Sequence, residues 1–374
     1  MSALKEFQNI VNSPHQFAIN WKKETEGKVL GCIGTNLPEE LVYAAGILPV
    51  RLLGCNQPET VTRQYMFSGA FCTFARDCFA QALNGKYDYL NGVIYGYCCI
   101  HERQVFESWR RHMPVYYSYQ LSVPNYLLNP NAKEFLVGEL ENFKYSLEEW
   151  IGHSISPESL DRVIDIYNTN RRLMMSIYEL MKADDPSVTW AEVAEIALSG
   201  MLMDKEMHNQ FLEKALEELP KREGTGINGP RLMLLGSVNN NIEAIKFIDS
   251  LGGQIVIDDY CTGNRYYQTE VIPEENQLAA LAGRMIGKPP CPLKDIPVRR
   301  RPDHIAKLAD DYRVRGVFYT IQRMCDPHGL DYPIIESTLQ EKGIPMMKLE
   351  LDLDIPLGQF RTRIEAFLEM IETS

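Results

Sequence analysis

The first 134 residues alternate between short apolar runs and amphipathic segments. Apolar runs at 29–33, 47–53, 92–95 and 115–119 are typical of buried strands. Residues 1–27 have a helical pattern with a break at Pro14, and further helices are expected to open near Pro38 and to span 75–83. The first two strands with the helix between them predict a strand–helix–strand unit, which is the building block of a parallel sheet.

The pattern changes over residues 135–218, where apolar residues recur with a helical period and no strand is indicated. A glycine-rich linker at 221–230 follows, and strands then return at 232–235, 254–257, 317–321 and 346–349. Helices are predicted to end near 251 and to span 302–312 and 359–371. The prediction is an α/β fold with two Rossmann/flavodoxin-like parallel-sheet lobes and a helical insert. The expected domains are 1–134, 135–225 and 226–374, and the two lobes look like a duplicated pair without a visible residue repeat.

The composition excludes several classes of protein. A net charge of −12 over 374 residues argues against a nucleic-acid or anionic-membrane surface, and the single basic run at 299–301 is too short to change that. No apolar stretch reaches the roughly 20 residues of a membrane-spanning helix, and the charged N-terminus is not a signal peptide. A cytoplasmic protein is therefore expected. The nine cysteines are then thiols and not disulfides.

Several cysteines follow predicted strands, at the edge of a parallel sheet where ligands bind. Cys98 and Cys99 follow the strand at 92–95, Cys325 follows the strand at 317–321, and Cys72 begins a helix whose N-terminus should lower the pKa of its thiol. If folding brings Cys72, Cys99 and Cys325 to one crevice, three thiolates form an iron–sulfur site with one open position. A single free cysteine is more often a small buried hydrophobe, and the paired spacing of a zinc site is missing.

Other residues give weaker indications. His101 and His328 lie beside these cysteines and are candidate proton donors, although histidines in such positions more often support neighbouring groups or lie at the surface. The turn at 236–237 offers backbone amides to a phosphate, but an ordinary polar turn is the commoner outcome. Cys261 also follows a predicted strand.

Five segments together resemble the 2-hydroxyacyl-CoA dehydratase and class I benzoyl-CoA reductase subunits. They are distributed over nearly the whole chain, which makes the resemblance specific at family level. The segments are LPEELVYAAGILPV at 37–50, FCTFARD at 71–77, IDDYCTGNRYY at 257–267, CDPHG at 325–329 and GQFRTRIEAFL at 358–368.

The resemblance implies that three cysteines hold one 4Fe–4S cluster, and these map to Cys72, Cys99 and Cys325. Cys98 remains an alternative to Cys99, because the family often has one cysteine where this chain has two. Cys261 and Cys291 lie in matching motifs that are not known to supply ligands.

The resemblance also implies partners: a larger homologous cluster-bearing subunit, an ATP-hydrolysing activator dimer that donates electrons, and an acyl-CoA substrate. Segments at 137–144, 167–172 and 325–328 are most similar to the shorter subunit of ATP-dependent benzoyl-CoA reductases. The expected function is therefore low-potential electron transfer to an aromatic acyl-CoA thioester. Arg265 and the basic run at 299–301 are weak candidates for binding the phosphates of that substrate.

Three alternatives stay open. The first is a 2-hydroxyacyl-CoA dehydratase subunit that eliminates water by a radical route. The second is a non-catalytic structural partner of a cluster-bearing subunit. The third is a zinc or flavodoxin-like binding protein.

Overall fold

Two four-stranded parallel sheets form the framework of the protein in a computed structural model, which describes residues 2–66, 70–294, 297–352 and 357–373. The first sheet has the order β2-β1-β3-β4 and the second has the order β6-β5-β7-β8. The eight strands are β1 Lys28–Ile33, β2 Ile47–Arg51, β3 Gly92–Gly96, β4 Tyr117–Leu121, β5 Arg231–Gly236, β6 Gln254–Asp259, β7 Gly316–Gln322 and β8 Met346–Leu351.

The two sheets repeat one topology, because β5 to β8 pair with each other in the same order as β1 to β4. This order is the one found in flavodoxin-like folds, in which ligands bind where the strand order reverses. Those positions lie beyond β1 and β3 in the first lobe, and beyond β5 and β7 in the second. The predicted α/β fold with two parallel-sheet lobes is confirmed.

Helices cover the sheets and form the insert between the lobes. They are α1 Ala3–Asn12, α2 Gln16–Thr25, α3 Glu39–Ala44, α4 Thr73–Leu83, α5 Ile100–His112, α6 Ala132–Ile151, α7 Pro157–Leu180, α8 Trp190–Ser199, α9 Lys205–Glu218, α10 Ile242–Asp249, α11 Asn264–Tyr267, α12 Gln277–Gly287, α13 Arg301–Asp311, α14 Asp326–Glu341 and α15 Leu357–Thr373. In the described residues, no helix is both long and apolar enough to cross a membrane.

Helix α7 passes through the interior and carries polar side chains that are paired there. Buried Arg171 bonds to the buried carboxylate of Glu40, next to the first sheet. Asn170 bonds to His208 Nδ1 at 2.7 Å, and His208 Nε2 lies 3.0 Å from the carbonyl oxygen of Ile196. These partners offset the cost of burying polar groups, so the insert is a fixed part of the fold that supports both lobes.

The positions of the elements follow the predictions closely, with four main differences. Strand β4 begins two residues later than expected, at Tyr117, and helices α5, α11 and α12 were not predicted. Helix α12 packs against α6 of the insert, with Leu278, Leu281 and Met285 in the same apolar cluster as the first lobe. Because the apolar core is continuous across these regions, the predicted domain boundaries near 134 and 225 stay a prediction.

Candidate functional site

The three cysteines singled out above occupy equivalent structural positions, since each is the residue that caps the N-terminus of a helix. Cys72 caps α4, Cys99 caps α5 and Cys325 caps α14. Cys99 and Cys325 both follow the third strand of their own sheet, β3 and β7. All three therefore meet the positive end of a helix dipole, which favours a thiolate or a bound anionic group.

The thiols of these residues lie in one region of the crevice between the lobes. The backbone N–H of Thr73, next to Cys72, donates to the carbonyl oxygen of Arg323, close to Cys325 (3.3 Å). Cys99 Sγ accepts a hydrogen bond from the backbone N–H of Glu102 at 3.4 Å. Burial raises the pKa of the Cys99 thiol most strongly, and the carboxyl of Glu102 and the thiols of Cys72 and Cys325 raise it further. The structure thus brings together Cys72, Cys99 and Cys325.

Burial dominates the chemistry of the free thiols. It raises the pKa of Cys72 to about 11, although the backbone N–H groups of Ala75 and Phe74 act in the opposite direction. Burial also raises the pKa of Cys325, and the neighbouring Cys72 adds to the effect. The expectation that the helix N-terminus leaves Cys72 with a lowered pKa is wrong for the free thiol, because desolvation outweighs the helix.

A strained residue precedes the third cysteine. Met324 has a left-handed backbone with φ 64°, a conformation that costs a residue with a side chain about 1–2 kcal/mol. The backbone N–H of Cys325 then donates to the carbonyl oxygen of Gln322 at 3.0 Å. This tight turn lets the chain leave β7 and start α14 with Cys325 at the crevice.

His101 connects two of the cysteine segments. Its ring is buried, its Nδ1 accepts a hydrogen bond from the backbone N–H of Cys72 (3.1 Å), and its Nε2 lies 3.2 Å from the carboxylate of Asp326. The acceptor role of Nδ1 places the proton on Nε2, which donates to Asp326. Both ring nitrogens are engaged, so this histidine holds the Cys72 segment against the segment that follows Cys325.

His328 lies in the first turn of α14, the helix of the second lobe that corresponds to α5. It is buried, and its Nδ1 lies 3.1 Å from the hydroxyl of Tyr319. Burial lowers the pKa of His328 well below its ordinary value, and the cations of Arg265 and Arg301 lower it further. The ring is therefore neutral at pH 7.

Cys98 faces a different set of thiols. Its thiol is hydrogen-bonded to that of Cys291, an interaction that lowers the pKa of Cys291 to about 6, and Arg265 acts in the same direction. Cys261 and Cys291 line one small cavity of about 30 Å³. Sequence reasoning placed Cys98 only as an alternative to Cys99 and gave no role to Cys291. The two residues are 193 positions apart, and only the fold brings them into contact.

The arginines considered for phosphate binding are engaged inside the protein. Arg301 is fully buried and bonds to Asp259 at 2.5 Å and to Asp331 at 2.7 Å. Arg265 is buried, lies 3.4 Å from Asp259 and donates to the carbonyl oxygen of Gly236 at 2.8 Å. The expectation that Arg301 meets an acyl-CoA phosphate is wrong, because the side chain is closed off from solvent by these pairs.

A cavity of about 360 Å³ lies between the lobes beyond the ends of β2 and β5. Its walls include Thr73 and Gln322, which are close in sequence to Cys72 and Cys325, together with Arg51, Asp77 and Asn240. Asp77 accepts hydrogen bonds from three consecutive backbone N–H groups at 55–57, at 2.7–2.8 Å. The cavity therefore has a rigid, polar wall close to the cysteine segments.

Over the described ranges, no group of three or more His, Cys, Asp or Glu side chains is arranged to hold a metal ion. In an iron–sulfur cluster each thiolate binds a different iron atom, so its ligands lie farther apart than those of a single ion. Three thiols on three helix N-termini are the donor set that such a cluster takes.

Residues 34–371 match the family model described as 2-hydroxyglutaryl-CoA dehydratase, D-component. The chain is 27% identical over 367 residues to the (R)-phenyllactyl-CoA dehydratase beta subunit of Clostridium sporogenes, covering 98% of each chain. It is 26% identical over 378 residues to the beta subunit of the (R)-2-hydroxyglutaryl-CoA dehydratase of Acidaminococcus fermentans, again covering 98% of each. It is 24% identical over 341 residues to one of the benzoyl-CoA reductase subunits of Thauera aromatica, covering 89% of this chain and 88% of that one.

Proposed function

The chain belongs to the 2-hydroxyglutaryl-CoA dehydratase D-component family, and from this premise we propose that it is an acyl-CoA-acting enzyme subunit with one 4Fe–4S cluster on Cys72, Cys99 and Cys325. The observation that carries the proposal is the convergence of three helix-capping thiols from both lobes on one crevice. Relatives named as dehydratase and reductase subunits support an enzyme role within a larger assembly.

The donor set fits the cluster. Three soft thiols face one region, and the backbone N–H of Glu102 already donates to Cys99 Sγ; such hydrogen bonds to sulfur tune the potential of a cluster. The thiols release their protons when they bind iron. Bound there, the cluster would supply single electrons at low potential.

The protein's own residues would hold and shield this group. His101 fixes the backbone of Cys72, and Met324 directs Cys325 to the crevice. The roles of His101 and His328 as proton donors stay predictions. His101 has both ring nitrogens engaged, whereas the ring of His328 is tied to Tyr319 through Nδ1. His101→Asn and His328→Gln variants with unchanged iron content test these roles, and full turnover in both would remove them.

The substrate is proposed to be a 2-hydroxyacyl-CoA, with elimination of water. Two dehydratase beta subunits match this chain at 27% and 26% identity over 98% of its length, and the reductase subunit matches at 24% over 89%. Benzoyl-CoA reduction is the second candidate, supported by the segments at 137–144, 167–172 and 325–328. In both cases a homologous larger subunit and an ATP-hydrolysing activator would complete the enzyme.

Iron and acid-labile sulfide, measured on the anaerobically prepared chain with its partner subunit, test the cluster. The iron content should fall by about four atoms per chain in each of three variants, Cys72→Ser, Cys99→Ser and Cys325→Ser. Cys55→Ser is the matched control, since Cys55 is exposed and lies outside the site. Unchanged iron in all three variants would remove Cys72, Cys99 and Cys325 as ligands, and no iron in the intact complex would leave the chain a structural partner.

Electron stoichiometry separates the two candidate reactions. A reductase consumes electrons and ATP in every turnover, whereas a dehydratase recycles its electron and needs ATP only for activation. Turnover of a 2-hydroxyacyl-CoA that continues after ATP is removed supports the dehydratase. Turnover of benzoyl-CoA with continuous ATP consumption would replace it with the reductase.

A further inference from the structure

A second group of three cysteines adjoins the first and has no part in the proposed function. Cys99 has an extended backbone (φ −124°, ψ 164°), and adjacent residues of an extended chain point to opposite sides. The thiol of Cys98 therefore turns away from the first site and is hydrogen-bonded to the thiol of Cys291. Cys291 shares a cavity of about 30 Å³ with Cys261. We call Cys98, Cys261 and Cys291 the second thiol set.

Two buried donors beside this set have no acceptor in the part of the chain that the structure describes. They are Asn36 Nδ2 and Arg265 Nη1, and both residues line the cavity with Cys261 and Cys291. Arg265 is only 6% exposed, so bulk solvent does not readily supply the missing partner. A buried donor without an acceptor costs about 1–3 kcal/mol. The cavity thus offers donors for a group that accepts hydrogen bonds.

The charges around the cavity indicate the sign of that group. Lys288 and Lys294 also line it, and their side-chain nitrogens donate to neutral acceptors, namely the carbonyl oxygens of Thr35 and Val123. Burial lowers the pKa of both lysines, and that of Lys288 lies well below its ordinary value. Lys294 lies in addition over the ring of Tyr97, at 4.9 Å from the ring centroid. Lysines without carboxylate partners among the described residues, next to unpaired N–H groups and thiols, fit an occupant that is both anionic and bound by sulfur.

We propose that the second thiol set, Cys98, Cys261 and Cys291, binds a second iron–sulfur unit beside the first. Three thiolates and inorganic sulfide make such a unit anionic, and its sulfides accept hydrogen bonds from N–H groups. A single zinc ion fits less well. It brings no sulfide and would leave the N–H groups of Asn36 and Arg265 without an acceptor. Each thiol loses its proton on binding iron.

The two sets share one crevice. Cys261 interacts electrostatically with Cys325 of the first set. Glu102 lies between the sets, since its backbone N–H donates to Cys99 and its carboxyl interacts with the Cys98 thiol. The first set has two cysteines from the first lobe and one from the second. The second set has one cysteine from the first lobe, Cys98, and two from the second, Cys261 and Cys291. The repeated topology of the lobes accounts for this reciprocal arrangement, because both present their connections at the same ends of their strands.

Iron, acid-labile sulfide and zinc, measured per chain on the full-length protein prepared without oxygen, test the proposal. The wild type should contain about eight iron atoms and a similar amount of sulfide, and the double variant Cys261→Ser/Cys291→Ser should keep about four. Cys98→Ser should also lower the content, whereas Cys55→Ser should not. The four iron atoms kept by the double variant show that it is folded and that its first site is intact.

The outcomes distinguish this inference from the proposed function. About four iron atoms in the wild type, lost with Cys72→Ser and unaffected by Cys261→Ser/Cys291→Ser, would overturn the second site and leave the first. Zinc held by the second thiol set would overturn the iron–sulfur assignment. Iron lost only on substitution of the second thiol set would overturn the proposed function and support the inference.

Discussion

The contact between His101 and Cys72 predicts that asparagine and glutamine, whose side-chain amides differ in length, affect stability differently when they replace His101. Asparagine places its oxygen near the position of Nδ1, where it accepts the N–H of Cys72, whereas glutamine reaches the position of Nε2. His101→Gln therefore leaves the buried N–H of Cys72 without its acceptor, whereas His101→Asn keeps that acceptor and loses the contact with Asp326. Both variants lose the ring contact with Phe71. The side chain of Asp326 is 69% exposed, so that contact contributes little.

The size of the stability difference follows from the burial of the Cys72 N–H and the exposure of Asp326. An unpaired buried N–H costs about 1–3 kcal/mol, and the exposed pair with Asp326 is worth about 0–1 kcal/mol. His101→Gln should thus be less stable than His101→Asn by about 1–2 kcal/mol. Urea unfolding of the metal-free chain measures the difference, with equal m-values required for the comparison. Asp326→Ala serves as the control and should lower the free energy of unfolding by less than about 1 kcal/mol.

Two results would refute this reasoning. Equal stability of His101→Asn and His101→Gln would show that the N–H of Cys72 does not depend on Nδ1. A loss in Asp326→Ala as large as that in His101→Gln would show that the exposed contact holds the histidine. Iron content gives an independent measurement, because His101→Asn should keep the first cluster and His101→Gln should lose part of it.

Three further predictions concern the framework of the site. Arg171→Met should lower the free energy of unfolding by about 3–5 kcal/mol, because it leaves the buried carboxylate of Glu40 without its partner. The pKa of Glu40 is about 2 in the folded chain against 4.5 unfolded, so the wild type loses stability in acid denaturation as pH falls from 4.5 to 2. The variant should lack this loss. Burial lowers the pKa of His208 from 6.5 to about 3, so wild-type stability should fall below pH 6.5 by about 1.4 kcal/mol per pH unit, and His208→Gln should show a shallower slope. Gly236 has φ 137°, and Gly236→Ala drives a methyl group into the carbonyl oxygen of Thr320 in β7, so this variant should not be expressed in soluble form. Gly46 has φ 72° and no atom within 4 Å of an added methyl group. Gly46→Ala should therefore lower stability by only about 1–2 kcal/mol, measured by thermal unfolding.

The strands were within reach of sequence reasoning because buried parallel strands are short apolar runs bounded by helices. The runs at 29–33 and 317–321 are of this kind and form β1 and β7. Helix α12 was missed because it runs into a proline-rich loop, and its apolar face packs on the distant helix α6. Helix α11 has only four residues and little periodicity to detect.

The first set of thiols, Cys72, Cys99 and Cys325, could be predicted from the sequence for a similar reason, since each of these cysteines follows a strand or precedes a helix. Cys99 and Cys325 occupy the same place after β3 and β7, so the chain order alone puts them at the same edge of each sheet. The second set was not within reach in this way. Cys291 lies in a loop after α12, and its distance from Cys98 is set by the packing of the two lobes. Electrostatics were also out of reach, because the pKa of Cys72 depends on how deeply the fold buries it.

The adjacent pair Cys98 and Cys99 now has a physical explanation. One thiol at the end of β3 can face only one side of an extended chain, and two successive thiols face both. A turn with a single cysteine would serve the first set alone and leave Cys261 and Cys291 without a third partner. Under the two proposed assignments, the second cysteine allows the same turn to supply a ligand on each side, to the first set through Cys99 and to the second through Cys98. Exchanging the two roles would require the backbone between β3 and α5 to rotate, and the hydrogen bond from the N–H of Cys98 to the hydroxyl of Tyr95 (3.0 Å) opposes that rotation.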